Sequence, residues 1–224
     1  MYIFEKALEY IFLPCCGVCS KLGEGYLCKK CEKELEKYVI NKRYIGNNLK
    51  RLDNININEN IEMMHILKYE GIIRKLILDY KFNDKSYLYK TFCEFIIKGK
   101  KSFDFIKSYD IIIPVPIHKK RLGKRGYNQS ELISKELAKS LKIKCYTDVL
   151  VKIKNNNMQS TLNKKEREEN TKNAYKLKNK EKIYNKKVLI FDDIYTTGAT
   201  ITSCIKELDK AKLNKIGVLT LAKD

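Results

Sequence analysis

Asp192-Asp193-Ile194-Tyr195-Thr196-Thr197-Gly198-Ala199-Thr200 concentrates more chemistry than any other stretch of the chain. Val188, Leu189, Ile190 and Phe191 precede it without alternation, the pattern of a central parallel strand covered on both faces. The acids therefore mark the carboxyl edge of the sheet, where open α/β sheets bind ligands at a topological switch point. Thr196, Thr197, Gly198, Ala199 and Thr200 lead into a helix with Ile201, Ile205 and Leu208 along one side. Such a loop wraps a phosphate in backbone N–H donors and hydroxyls, and the helix N-terminus adds partial positive charge. Two carboxylates beside a phosphate nest would repel a bare anion. They suit a ligand whose sugar hydroxyls donate to them, or one that meets them through a metal ion.

A second constellation lies near the start. Cys16-Gly17-Val18-Cys19 and Cys28-Lys29-Lys30-Cys31 are two C-x-x-C knuckles, with Gly17, Gly23 and Gly25 easing the turns. Four thiolates so spaced favour a closed tetrahedral Zn²⁺ site, structural because no position is left for water. Cys15 is a fifth candidate and the spare by this reading, although the sequence leaves open which of Cys15 and Cys16 ligates. A module of roughly 30 residues has too little core to fold alone, so the metal is expected to stabilise it.

The third constellation is cationic. After the apolar run Ile111, Ile112, Ile113 come Pro114-Val115-Pro116-Ile117-His118-Lys119-Lys120-Arg121-Leu122-Gly123-Lys124-Arg125. The prolines turn the chain out of a strand, so the basic run is expected as a cationic loop at the same sheet edge as Asp192. The net charge of +19 favours a polyanionic partner, nucleic acid or phosphorylated ligands. Lysine, asparagine and isoleucine abound everywhere, which weakens that inference. Arginine, by contrast, occurs only at Arg43, Arg51, Arg74, Arg121, Arg125 and Arg167. An arginine kept among so many lysines hints at bidentate contact with phosphate or carboxylate.

The remaining chain supplies the scaffold. Residues 1–13 place Ile3, Phe4, Ala7, Leu8, Ile11 and Phe12 at helical spacing with charges opposite, unlike a secretory signal. No apolar run reaches membrane-span length, and a cytoplasmic location is expected. Residues 61–69 read as a strand, and residues 71–80 and 87–97 as two amphipathic helices that cap the sheet or form a hood. Asn128 is placed to cap a helix over 130–141, and residues 216–222 read as a last strand. Residues 154–173 are the most polar stretch, long enough to be a mobile lid. Cys93, Cys145 and Cys204 lie among apolar residues as inert thiols, and a core or surface role suits the solitary His65 better than ligation. Helices alternating with parallel strands predict a doubly wound α/β sheet.

The acids and the Thr-Thr-Gly-Ala-Thr loop resemble the phosphoribosyl-pyrophosphate (PRPP) binding signature of type I phosphoribosyltransferases. Neither G-x-x-x-x-G-K-[ST] nor a G-x-G-x-x-G after a strand is present. With the two knuckles, Pro114 to His118, Arg121, Arg125-Gly126-Tyr127-Asn128-Gln129, then Gln159, Arg167 and Asn170, nearly the whole chain is similar to the ComF family. That resemblance implies a type I phosphoribosyltransferase-like doubly wound parallel sheet with a small N-terminal four-cysteine zinc module. Residues 1–40 would hold an N-terminal helix and the zinc finger, 41–60 a linker, and 61–224 the phosphoribosyltransferase-like domain. It implies that Asp192 and Asp193 bind the ribose hydroxyls of PRPP, and Thr196, Thr197, Gly198, Ala199 and Thr200 its 5′-phosphate. Arg121 and Arg125 would lie against the pyrophosphate with Mg²⁺, and Arg167 would belong to the closing lid. The function implied is handling of incoming single-stranded DNA during natural transformation, with PRPP bound and a competence helicase as partner. The alternative is an active transferase moving phosphoribosyl from PRPP to a base or amine.

Overall fold

The computed structural model describes residues 13–40, 43–45, 61–155 and 173–224. Residues 1–12 of the helix expected over 1–13, most of the 41–60 stretch, and Gln159, Arg167 and Asn170 lie outside the described residues. In chain order the elements are α1 (Lys29–Glu36), β1 (Arg43–Ile45), β2 (Ile61–Lys68), α2 (Gly71–Phe82), α3 (Leu88–Lys98), α4 (Lys100–Lys107), β3 (Ile111–Pro114) and α5 (Lys119–Arg125). There follow α6 (Gln129–Leu141), β4 (Lys144–Cys145), β5 (Leu150–Lys152), β6 (Tyr175–Leu177), β7 (Lys187–Tyr195), α7 (Ala199–Asp209) and β8 (Lys215–Lys223).

Strands β2, β8, β7, β3 and β4 lie side by side and parallel, and β1 adds an antiparallel edge to β2. Three residues of the expected linker are thus sheet. Strands β5 and β6 form a separate antiparallel pair. From β3 the chain crosses through α6 to β4 on one side; from β7 it crosses through α7 to β8 on the other. Right-handed crossovers in opposite directions place their helices on opposite faces. The core agrees. Ile133 and Leu137 of α6 pack in one apolar cluster with Ile112, Leu189 and Phe191, while Ile201, Ile205 and Leu208 of α7 pack in the other with Ile111, Ile113, Val188 and Ile190. Alternate residues of the same unbroken apolar runs feed the two cores, as the period of two in a strand requires. The switch point lies between β3 and β7.

That first core also holds Tyr80 of α2 and Leu88, Phe92 and Ile96 of α3, so the two helices expected as cap or hood cover this face. Cys16, Leu27, Cys28, Cys31 and Leu35 belong to the same cluster. The knuckle region therefore shares a core with the sheet, where the sequence suggested a module held chiefly by metal. Two contacts seat it on α3: the Tyr26 N–H donates to Glu94 Oε2 (2.9 Å), and the Tyr26 carbonyl accepts from Thr91 Oγ1 (2.9 Å); the same carbonyl accepts from the Gly17 N–H (3.0 Å) within the knuckle region. A Cβ on Gly17 would stand 2.2 Å from Thr91 Oγ1, so the chain needs glycine here for close approach. Among the described residues no helix is long and apolar enough to cross a membrane.

Candidate phosphoribosyl site and metal centre

Strands β3 and β7 stay paired through Pro114 and Phe191, with the Val115 N–H still donating to the Phe191 carbonyl (2.9 Å). Beyond that point β3 has turned away and β7 continues to Tyr195 alongside β8 only. The strand thus runs four residues further than its apolar stretch suggested, because β8 goes on satisfying its backbone. The crevice opens at Asp192. Successive strand residues face opposite sides of the sheet, so Asp192 and Asp193 diverge.

Asp193 faces α2, where the Lys81 ammonium sits 2.8 Å from its Oδ2, both side chains largely buried. Asp192 Oδ1 accepts from Ser130 Oγ (3.2 Å), at the start of α6, and from the Asp193 N–H (2.9 Å). Burial, then the Asp193 charge, pushes the Asp192 carboxyl up to about 7; Lys81 and these two donors oppose the rise. Neighbouring acids, one of which is raised by burial and by the other's charge, favour a ligand that brings donors or a cation to them.

Past Tyr195 the chain turns through Thr196, Thr197 and Gly198 into α7. Gly198 adopts φ +81°, and a Cβ there would meet the Tyr195 hydroxyl at 2.5 Å. The Thr197 Oγ1 accepts weakly from the Ala199 N–H at 3.5 Å. The first N–H groups of the helix, around Ala199 and Thr200, have no intrahelical acceptors and point toward the crevice end of the sheet. Gly198→Ala is expected to cost about 1–2 kcal/mol from the left-handed backbone alone. A lower melting temperature and at least tenfold weaker phosphate-ligand binding, followed by thermal melts and calorimetry, would check this.

The basic run is a helix rather than the expected loop. His118 Nδ1 accepts from the Lys120 N–H (3.2 Å) as its N-cap, and Gly126 closes it with φ +79°. Those two residues supply the start and stop that the dense lysines concealed. Arg125, at its end, donates through Nη1 to Gln129 Oε1 (2.5 Å), and its guanidinium lies 5.1 Å from the centre of the Phe82 ring. Burial, chiefly, lowers its affinity for its proton, partly offset by the Asp193 charge. Asn128 caps α6 as expected, its Oδ1 accepting from the Ser130 N–H (3.2 Å). The Tyr80 hydroxyl donates to the Gln129 carbonyl (2.9 Å), and the Tyr127 hydroxyl to the Tyr80 carbonyl, so α2 is tied to the start of α6.

Two cations of this region escaped the sequence reading. Lys81, in the last turn of α2, lies just beyond the stretch that the sequence reads as helix. Lys152, on β5, stands 5.2 Å from the Tyr175 ring centre. Burial and then Arg121 lower its proton affinity, while Asp192 raises it. One lysine among so many carries no local mark. His65 fulfils its core reading: it is buried, with Nδ1 2.7 Å from Thr220 Oγ1, and burial holds its pKa down to about 4. Cys93 and Cys204 are buried, whereas Cys145 is only half-buried.

The Sγ atoms of Cys16, Cys19, Cys28 and Cys31 all lie within 4.8 Å of one another. Cys19 and Cys28 are 3.7 Å apart at sulfur. Tetrahedral zinc with Zn–S bonds of about 2.3 Å needs edges of about 3.8 Å, so the set fits Zn²⁺. Cys16 is the fourth member of this set, and Cys15, whose backbone forms an isolated bridge with Leu22, stays outside it. Burial raises the Cys16 thiol, but backbone N–H groups of Cys28, Cys19 and Val18 outweigh it and leave about 7. Burial pushes Cys31 up, the cost a bound cation would reverse.

The Phosphoribosyl transferase domain family matches residues 128–224, from the cap of α6 through both acids to the last strand. Competence protein F of Haemophilus influenzae is 30% identical over 213 residues, spanning 93% of this chain and 90% of that protein. The chain belongs to the ComF family. Competence protein ComFC of Streptococcus pneumoniae is 30% identical over 158 residues, 70% of this chain and 66% of the relative. DNA utilization protein YhgH from a strain of Escherichia coli is 32% identical over 92 residues, 41% and 40% of the two chains. For this ComF-family chain the fold expectation holds: a phosphoribosyltransferase-type doubly wound parallel sheet with four cysteines gathered at its N-terminal end.

Proposed function

We propose that this ComF-family protein binds PRPP with Mg²⁺ at the switch point and handles single-stranded DNA during DNA uptake. The names of its relatives, competence and DNA utilization proteins, support the biological setting. The observation that carries the ligand reading is the meeting of three unlike groups at one sheet edge. Asp192 and Asp193 stand where β3 leaves β7, the Gly198 turn opens α7 beside them, and the cations of α5 follow the end of β3. Ribose hydroxyls donating to the acids, a 5′-phosphate on the α7 turn and a pyrophosphate against Arg121 and Arg125 would satisfy each of them. Mg²⁺ would arrive with the pyrophosphate, and Zn²⁺ would occupy the cysteines.

Titration calorimetry with PRPP and Mg²⁺ tests this directly. Wild-type protein is expected to bind, and the Asp192→Ala/Asp193→Ala double variant to lose at least a hundredfold in affinity, the sum of two charge-assisted hydrogen-bond sets. A folded, zinc-loaded wild type without measurable heat would remove the ligand reading and leave the fold as a scaffold.

A second reading, an active phosphoribosyltransferase, draws on the Asp192 carboxyl. Near pH 7 a group poised at about 7 is suited to take a proton from an acceptor N–H as pyrophosphate departs. Departure leaves a cationic ribosyl centre, so electrostatic hold on the leaving group and exclusion of water would do most of the work. Mg²⁺-dependent pyrophosphate release with one member of a panel of bases and amines would support it; silence across the panel would reject it.

A further inference from the structure

At the rim of the crevice the end of α2 presents Phe82, a large aromatic side chain left 55% exposed. The residue before it, Lys81, is pinned to Asp193 at 2.8 Å, so the end of the helix is held against the acid pair. One side of the Phe82 ring carries the Arg125 guanidinium, 5.1 Å from Cζ to ring centre, itself held by Gln129 Oε1 at 2.5 Å. Arg125 closes α5, in which Lys119, Lys120, Arg121, Lys124 and Arg125 make five of seven residues cationic. On that same helix Leu122, three residues before Arg125 and so on its side, is 41% exposed. An exposed aromatic ring backed by a fixed guanidinium and flanked by a dense row of cations is unsuited to a core and unusual on an inert surface. It matches how proteins hold single strands, with cations tracking phosphates and aromatic faces taking bases.

We propose that Phe82, backed by Arg125, is a stacking platform for a base of single-stranded DNA, whose neighbouring phosphates run along α5. The proposal rests on the single-strand reading above and gives it a place: the strand crosses the mouth of the phosphoribosyl site. Because Lys81 and Gln129 already fix the two members of the platform, little ordering is left for the moment of binding. Charge supplies most of the affinity and its salt dependence, and the stacked ring adds a contribution that salt does not screen.

The test uses fluorescein-labelled oligo-dT and anisotropy titrations over a series of salt concentrations. Phe82→Ala is expected to bind roughly tenfold more weakly, the effect of one lost stacked base, with an unchanged slope of affinity against salt. Lys119→Ala/Lys120→Ala/Lys124→Ala is expected to flatten that slope. The chain has no tryptophan, so Phe82→Trp places a single indole on the platform. It should keep the affinity, and its emission should be quenched as oligo-dT binds. Wild-type affinity in Phe82→Ala, or Phe82→Trp emission indifferent to bound oligo-dT, would overturn the platform while leaving the single-strand reading standing. No binding of oligo-dT by the wild type at low salt would overturn both. If Phe82→Ala loses affinity for free adenine in the presence of PRPP but not for oligo-dT, the ring serves an acceptor base and the strand proposal is wrong.

Discussion

Cys28→Ser is expected to lower the melting temperature of the whole protein by about 10 °C or more, and stripping the metal with a strong chelator should do the same. Cys16, Cys28 and Cys31 are buried, and Cys31 has its thiol form favoured by that burial. Held as thiolates, four sulfurs gathered within 4.8 Å would need a cation to offset their mutual repulsion and desolvation. Structural zinc contributes on the order of 10 kcal/mol in small modules, and part of that is lost with one ligand. Even about 4 kcal/mol would move the midpoint of a domain of this size by roughly 8–16 °C. The effect is global because the knuckles share a core with α3 and are clamped to it at Thr91 and Glu94. A single cooperative transition that falls with zinc content, followed by calorimetry and metal analysis, is the expected record. Two separate transitions, with the larger one unmoved, would show that the knuckles are an independent unit.

Asp192→Asn is expected to stabilise the ligand-free protein above pH 7 while weakening PRPP binding, so stability and binding should move in opposite directions. Burial and Asp193 raise the Asp192 carboxyl to about 7 in the folded chain, against an ordinary value of 3.8. Between those two values the folded state binds the proton and the unfolded state does not. The charge therefore costs stability progressively from about pH 4 to pH 7, and the whole cost is present above pH 7. An amide removes the charge at every pH. The variant should match wild type near pH 4 and exceed it at pH 8 by up to about 4 kcal/mol, less what the amide loses in hydrogen bonding. Its affinity for PRPP with Mg²⁺ should fall about 10- to 100-fold, since a charged acceptor is replaced by a neutral one. Melts from pH 4 to pH 8, paired with calorimetric titration, check both halves. A variant less stable than wild type at pH 8 would mean that the Ser130 and Asp193 hydrogen bonds outweigh the cost of the buried charge. Functional sites commonly carry such a cost, because groups arranged to meet a ligand repel one another in its absence.

By itself the sequence determined the features written in local pattern. The unbroken apolar runs at 111–113 and 188–191 announced strands buried on both faces, and alternate residues of each do feed the two cores. The turn at Gly198 and the caps at Asn128 were legible because turn and cap chemistry depends on near neighbours. The paired knuckles announced a metal set for the same reason. Tertiary structure alone decided what depends on residues distant in the chain. Lys81 reaches Asp193 because α2 packs on the face of the sheet to which that acid points, and Ser130 reaches Asp192 because the start of α6 lies at the crevice beside the open end of β7. Cys16 rather than Cys15 joins the thiol set, a choice between chain neighbours that only the three-dimensional gathering of the sulfurs could make. The end of β7 could not be read from hydrophobicity, since acids stay in a strand as long as a neighbouring strand satisfies their backbone, and β8 does so as far as Tyr195.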